Sequence, residues 1–163
     1  MAQADSSLEG KILAGLLDET QAFRNFSDTL QTEQTTLIDG DIAALTALST
    51  EKQNQVALLN RMADERLKRI NALGFGSDVN GMESWIAQST TAIQDAWRTL
   101  LEVAAAARQL NQANGALIQT RMQHNQQALG ALLAAANQSK LYGPDGQAHP
   151  PASGGTRGII GKA

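Results

Sequence analysis

The sequence predicts an all-α protein, an antiparallel bundle of three long helices with coiled-coil character, of which the third helix is the longest. Aliphatic residues and alanine recur at steps of three and four over long proline-free stretches, which is helical spacing. Aromatic residues make up only 4% of the chain and charged residues 18%, a composition that suits helices packed through small and aliphatic side chains. The 163 residues suffice for one helical domain, predicted over residues 1–140, with a Gly/Pro-rich tail over residues 141–163.

The first long helix is predicted between Ser6 and Ile38. Ser6, with Glu9 three residues later, matches a capping box. Apolar residues then follow at helical spacing: Leu8, Ile12, Leu16, Phe23, Phe26, Leu30 and Leu37. Gly40 favours the left-handed conformation that ends helices, and Asp41 suits the cap of the next one. So short a connection turns the second helix back antiparallel to the first, unless the chain only kinks there.

The second long helix is predicted from Ile42 to Leu73, with an apolar period of roughly 3.5 residues, the coiled-coil value. Lys52 falls on its apolar stripe, so we expect a buried stem with the ammonium outside. A glycine-rich loop with Phe75 follows, whose ring is expected to pack over the end of the bundle. Residues 82–88, which include Trp85, predict a short helical turn before a cap at residue 89, 90 or 91.

The third long helix is predicted over residues 91–137 and would be about 70 Å long. The first two helices would span roughly 48 Å each, so we expect residues 124–137 to extend past the Gly40 turn. Leu129, Leu132 and Leu133 would then lack a partner within the chain. Trp97 and Leu100, near the start of the helix, are expected to face the core.

Polar and small residues on the third helix leave two points open. Asn111 and Asn114 fall on its apolar stripe, where they either bond across helices and set the register or lie at its edge in water. Residues 104–107 are alanines that fit ordinary bundle packing or the close approach of another helix. From Val103 to Gly143 the chain has no acidic residue, so repulsion of an incoming apolar helix would be weak.

Charge is unevenly distributed along the chain. Residues 1–50 carry eight acids and two bases, whereas residues 101–163 carry two acids and five bases. The acids either form solvated helix faces or steer a basic partner towards the first helix. The formal net charge of −3 argues against a general nucleic-acid binder.

Catalytic and metal-binding patterns are missing from the sequence. The chain has no cysteine, and its two histidines, His124 and His149, lack the acidic partners of a helical metal site. There is no phosphate-binding loop and no plausible serine–histidine–acid set, so we expect neither an enzyme nor a cofactor. The acidic N-terminus is a poor signal peptide, and no apolar run is long enough to predict a membrane span.

One run on the third helix carries a family resemblance. Asn111-Gln-Ala-Asn114-Gly115-Ala-Leu117-Ile118 is followed by Arg121, Asn125, Ala128-Leu129, Leu132-Leu133 and the motif from Tyr142 to Gln147. This pattern resembles the FlgN family of flagellar export chaperones. The acidic first helix, Gly40-Asp41 and Lys52 fit as well, so the resemblance covers most of the chain. After Gln147 no family signal is present.

All three prolines and six of the 14 glycines lie from residue 143 onward, and we expect that tail to be disordered in isolation.

The resemblance implies a cytoplasmic, non-enzymatic chaperone that binds hook–filament junction proteins and brings them to the export gate and export ATPase complex, transiently at the membrane. It implies that the C-terminal part holds the client's helical terminal segment. The residues expected there are Ile118, Arg121, Asn125, Ala128, Leu129, Leu132 and Leu133. Tyr142 is either a contact to the export gate or a ring packed on the helix end. The alternative function is a structural coiled-coil adaptor that homo-oligomerises through the third helix.

Overall fold

The structure, a computed structural model, describes the backbone of residues 2–141 and the side chains of residues 8–137. That part of the chain forms four helices and no strand: α1 (Ala2–Asp39), α2 (Ile42–Ala72), α3 (Val79–Ile86) and α4 (Thr91–Leu141). The all-α prediction is therefore confirmed, and α4 is the longest helix with 51 residues. The complete antiparallel bundle and the domain boundary at residue 140 stay predictions. The predicted tail, beyond Leu141, lies outside the described residues.

The start of α1 differs from the prediction. The helix begins at Ala2, so Ser6 lies inside it rather than at its N-cap. Residues 2–5 contain alanine and glutamine but neither glycine nor proline, so nothing in their propensities stops the helix from extending upstream of the capping-box pattern. The short helix α3 likewise starts earlier than predicted, at Val79, because the Asp78 side chain accepts a hydrogen bond from the Gly81 amide.

The turn between α1 and α2 is as the sequence predicts. Gly40 has a φ of 78°, and its amide donates to the Thr36 carbonyl, which closes α1. The Asp41 carboxylate accepts from the Ala44 amide at 3.0 Å and caps α2. Thr90 occupies the corresponding position before α4, since its carbonyl accepts from the amides of Ile93 and Gln94.

Contacts between α1 and α2 show that the chain folds back after this turn rather than kinking. Glu33 pairs with Lys52, and Glu19 pairs with Arg66. Arg69 donates to the Lys11 carbonyl, where Gly15 leaves room for its guanidinium. The residue numbers of the partners on α2 thus increase as the residue numbers of the partners on α1 decrease.

Two apolar clusters join the helices within the first 118 residues. The larger cluster joins all four helices, and its buried members are Ile12, Leu16, Ile70, Met82, Trp85, Ile93, Ala96 and Leu100. Phe75 packs against this cluster, as predicted, and so does the half-buried Trp97. The smaller cluster contains Phe26, Leu30, Leu59 and Ala107. Each fully buried Leu or Ile contributes roughly 1.5–3 kcal/mol, so these clusters supply much of the folding free energy.

The loop before α3 is tightly packed. A Cβ built on Gly81 would lie 1.9 Å from the Gly76 carbonyl oxygen, so only glycine fits there. This close approach places Met82 and Trp85, both buried, against the larger cluster. The helix α3 therefore covers one end of the packed helices.

A hydrogen-bonded group, which we name the polar node, consists of the buried Glu33 and Asn114 and the half-buried Lys52. The Lys52 ammonium lies 3.1 and 3.0 Å from the two carboxylate oxygens of Glu33. The Asn114 amide nitrogen donates to Glu33 Oε2 at 2.8 Å and to the Leu30 carbonyl at 2.7 Å. Asn114 is completely buried, whereas Asn111 is exposed. The structure thus decides the open point: Asn114 bonds across helices and Asn111 faces water.

Asn114→Ala is expected to lower the free energy of unfolding by about 1–3 kcal/mol, because the buried Glu33 carboxylate loses a donor. Urea unfolding followed by circular dichroism measures this. Asn111→Ala is the matched control on the same helix and should stay within about 0.5 kcal/mol of the parent, as exposed positions do. Equal stability of the two variants would contradict the role given to the polar node.

Candidate functional site

The residues expected to bind a client fall into two compact units, which divide between residues 118 and 119. Ile118 belongs to the first unit. The others belong to the second: Arg121, Asn125, Ala128, Leu129, Leu132 and Leu133. Tyr142, the expected export-gate contact, lies outside the described residues.

The second unit exposes a set of large apolar side chains, which we name the leucine stripe: Met122, Leu129, Leu132 and Leu133. Their exposed fractions are 56%, 58%, 68% and 57%. Neither apolar cluster of the described chain contains any of them. The leucine stripe differs from the other exposed apolar residues because its four side chains lie close together on one stretch of helix, and it is therefore the candidate contact surface.

Helical geometry brings the four side chains to one face. At 100° per residue they fall within an arc of about 100° around the axis of α4. Asn125 lies inside this arc and is exposed, whereas Arg121 and Ala128 lie at its edge. The structure therefore places the three predicted leucines and Asn125 on one face of α4, with Arg121 and Ala128 at the edge of that face.

Met122 is the residue that the sequence reasoning missed. It lies on the leucine stripe. The steps of three and four that were followed along the sequence pass through its neighbour Arg121 instead. The available signal was the spacing, because Met122 precedes Leu129 by one heptad. An unbranched, polarizable methionine adapts its shape readily to different apolar partners.

The surroundings of the leucine stripe are polar but almost uncharged. Between residues 119 and 137 the only ionisable side chains are those of Arg121 and His124. Gly130, on the same stretch, has open space where its Cβ would be. A helix can therefore approach this face without meeting carboxylate charge.

Ile118 has a different environment, in the first unit. It is 38% exposed and lines an open groove of about 560 Å³ beside α2, where Val56 is 41% exposed. Glu33 and Lys52 of the polar node also line this groove. The groove is mainly apolar, with one neutralised ion pair in its wall.

Two further kinds of site were sought among the described residues, a metal centre and a membrane span. No group of three or more His, Cys, Asp or Glu side chains in that part of the chain is arranged to hold a metal ion. Likewise, none of the described helices combines the length and apolarity needed to cross a membrane.

Comparison with known proteins gives the family. Residues 8–150 match the FlgN protein family. This chain belongs to the FlgN family. A flagella synthesis protein FlgN from Yersinia enterocolitica is 30% identical over 143 residues, which cover 85% of this chain and 89% of that protein. The flagella synthesis protein FlgN of Salmonella typhimurium strain LT2 is 28% identical over 148 residues, covering 89% of this chain and 96% of that protein. None of the solved structures matches.

The FlgN match covers all of the described chain except the first turns of α1. It spans the polar node, both apolar clusters and the leucine stripe, and it continues past the end of α4 at Leu141. The resemblance noted on the sequence is thereby confirmed. The leucine stripe thus lies in the family's own portion of the chain, not in an added segment.

In this FlgN-family chain, changing Leu132 and Leu133 together to Asp is expected to leave thermal stability almost unchanged, because both side chains are already in water. Leu16→Asp is the contrasting variant, since it places a carboxylate in the larger cluster and should abolish cooperative folding. Differential scanning calorimetry measures both. A loss of several degrees in the double variant would show that the leucine stripe belongs to a core.

Proposed function

We propose that this protein is a cytoplasmic chaperone of flagellar type III export. It binds the helical terminal segments of hook–filament junction proteins, prevents their premature assembly and delivers them to the export apparatus, that is, the export gate and the export ATPase complex. Family membership supports a role in flagellum assembly. The observation that carries the client-binding role is the exposed leucine stripe on α4.

The proposed client-binding residues are those predicted from the sequence, together with Met122. Leu129, Leu132 and Leu133 provide the apolar anchors for a client helix, and Asn125 provides a polar contact on the same face. Ile118, Arg121 and Ala128 extend the contact or flank it. A client helix would use the helix-in-groove mode, with its own apolar residues at i, i+3, i+4 and i+7.

Magnitudes indicate how many of these residues the complex needs. A fully buried Leu contributes roughly 1.5–3 kcal/mol, and these three leucines gain somewhat less because they are already partly covered. Association itself costs about 4–15 kcal/mol. Three leucines alone therefore give weak binding, so the contact of Met122 is needed as well for micromolar affinity.

The mechanism follows from covering an apolar surface. A client segment that would pair with other client copies instead buries its apolar face against α4. The client therefore assembles only after it has been released from α4. Because the residues around the leucine stripe carry almost no charge, the complex should depend little on ionic strength.

Size-exclusion chromatography with light scattering, with and without a junction-protein C-terminal segment, tests the proposal. The parent protein is expected to form a complex at micromolar concentration. Leu132→Asp with Leu133→Asp should weaken it by roughly a hundredfold or more, since two anchors are lost and carboxylates would be buried. Ile42→Asp with Val79→Asp is the matched control, because both residues are exposed aliphatics outside the leucine stripe. No complex with the parent protein would refute the client assignment.

The second candidate function is a structural coiled-coil adaptor that homo-oligomerises through α4. The same exposed leucine stripe favours it, because two copies could bury the stripe against each other. The light-scattering mass without client separates the two functions. A monomer that gains mass only with client supports the chaperone, whereas an oligomer dispersed by the double Asp variant supports the adaptor.

Tyr142 is proposed to contact the export gate. It is the only tyrosine of the chain and belongs to the motif that carries the family resemblance. Tyr142→Ala is expected to reduce binding to the purified cytoplasmic part of the export gate at least about tenfold, as loss of an aromatic anchor does. Client binding should be unchanged. If both affinities were unaffected, Tyr142 would have no part in delivery.

A further inference from the structure

A second exposed surface lies between α1 and α2, in the first unit. Two adjoining grooves of about 290 and 470 Å³ share Asn25 and Gln55 in their walls, so they form one continuous channel, which we name the acidic trough. All of its lining residues come from α1 and α2. Its apolar members are Ala22, Leu48, Leu58 and Met62. They are half-buried or exposed, so the trough offers apolar surface that α1 and α2 do not bury against each other.

Carboxylates border this apolar surface. The bases Arg66 and Arg69 line a small adjoining pocket that shares Asp18 and Met62 with the trough, and they pair with Glu19 and Glu65. The three acids are Asp18 and Asp28 on α1 and Glu51 on α2, and neither groove is lined by Lys or Arg. Asp18 and Asp28 are exposed and form no ion pair within the described chain. Glu51 accepts only from the neutral groups of Thr29 and Gln55. None of the three carboxylates is a member of a salt bridge of the described chain, so the trough is acidic along its length, with Arg66 and Arg69 beside its Asp18 end.

The trough also contains an unsatisfied acceptor. Gln55 donates to Thr29 Oγ1 at 2.9 Å and to Glu51, but its own Oε1 is buried and has no hydrogen-bond partner. Buried acceptors are satisfied in the great majority of cases. The amide oxygen of Asn114 in the polar node is equally buried and unpaired, so this feature is not specific to the trough.

We propose that the acidic trough docks an α-helix of a partner protein whose apolar stripe is flanked by lysine or arginine. A channel between two helices accepts a third helix through ridge-and-groove packing. Asp18 and Asp28 are ten residues apart, about 15 Å along α1, so the basic residues of the partner would be about three turns apart. A second copy of the trough would bring carboxylates together, which disfavours a symmetric dimer through this face.

This site shares no residue with the leucine stripe and differs from it in chemistry. Binding at the leucine stripe would be apolar and insensitive to salt, whereas docking at the trough depends on charge. One protein could therefore hold an apolar client helix and a basic helix at the same time. Docking at the trough does not depend on which client the leucine stripe binds.

The first test uses a defined probe, a synthetic 18-residue helical peptide with leucines at i, i+3, i+4 and i+7 flanked by lysines. A matched peptide carries glutamate in place of each lysine. Fluorescence anisotropy is expected to show binding of the basic peptide that weakens as salt rises, and no binding of the acidic one. Failure of the basic peptide to bind at low salt would overturn the proposal.

The second test locates the peptide by using charge reversal. Asp18→Lys with Asp28→Lys should weaken binding roughly tenfold or more, because two attractive contacts become repulsive. Asp64→Lys with Glu102→Lys is the matched control, since it makes the same change in net charge at exposed positions outside the trough. It should weaken binding less than about threefold. An equal loss of peptide affinity in the two variants would show that only the net charge of the protein attracts the peptide, and it would refute the site.

The absence of cysteine from the chain allows a direct mapping experiment. Gln21→Cys places a single thiol in the wall of the trough, and Asp64→Cys places one outside it. After attachment of a photo-crosslinker, the basic peptide is expected to crosslink at position 21 and not at position 64. Equal crosslinking at both positions would overturn the proposal, whatever the affinity.

Discussion

The fold depends most on the buried carboxylate of Glu33. A carboxylate taken out of water without a partner costs several kcal/mol, so this position is tolerated only because Lys52 and Asn114 meet it at hydrogen-bond distance. The three residues come from α1, α2 and α4, respectively. A shift of any one helix by a single residue would rotate its side chain by about 100° and leave the charge unpaired. The polar node therefore selects one register among the many that a repeating apolar pattern would allow.

A second ion pair repeats this arrangement further along the helices. The Arg66 guanidinium binds both carboxylate oxygens of Glu19, at 2.9 and 3.2 Å, and also lies 4.9 Å from the centre of the Trp97 ring. Glu19 and Glu33 are fourteen residues apart, and so are Lys52 and Arg66. That interval is two heptads, which keeps both pairs on the facing sides of α1 and α2. Polar contacts thus fix the register, and the apolar clusters provide most of the stability.

Helix positions were largely predictable from the sequence, whereas the partners of polar side chains were not. The Gly40 turn, the Asp41 cap and the burial of Leu100 follow from local chemistry and spacing, and all three are confirmed. Periodicity placed both Asn111 and Asn114 on the stripe, but only packing against α1 decides which one is buried. Lys52 was expected to extend its ammonium into solvent from the apolar stripe, but the ammonium pairs with Glu33, which lies nineteen residues away on another helix and which no local pattern identifies as its partner. At the candidate site, exposure of the leucines followed from helix length, while Met122 was missed because Arg121 fits the same step pattern.

Gly130, which has open space beside it, affects how readily this stretch of α4 unfolds locally. Glycine in an exposed helix is about 1 kcal/mol less favourable than alanine, and the helix around it gains nothing from the two apolar clusters. Such a stretch has a small free energy of local opening, far below that of the residues around the polar node. Amide hydrogens near Gly130 should exchange with deuterium much faster than those near Ala107. A bound helix would slow that exchange, because it stabilises the helical conformation around Gly130. Affinity and helix order are therefore coupled, and part of the free energy of client binding goes into ordering α4.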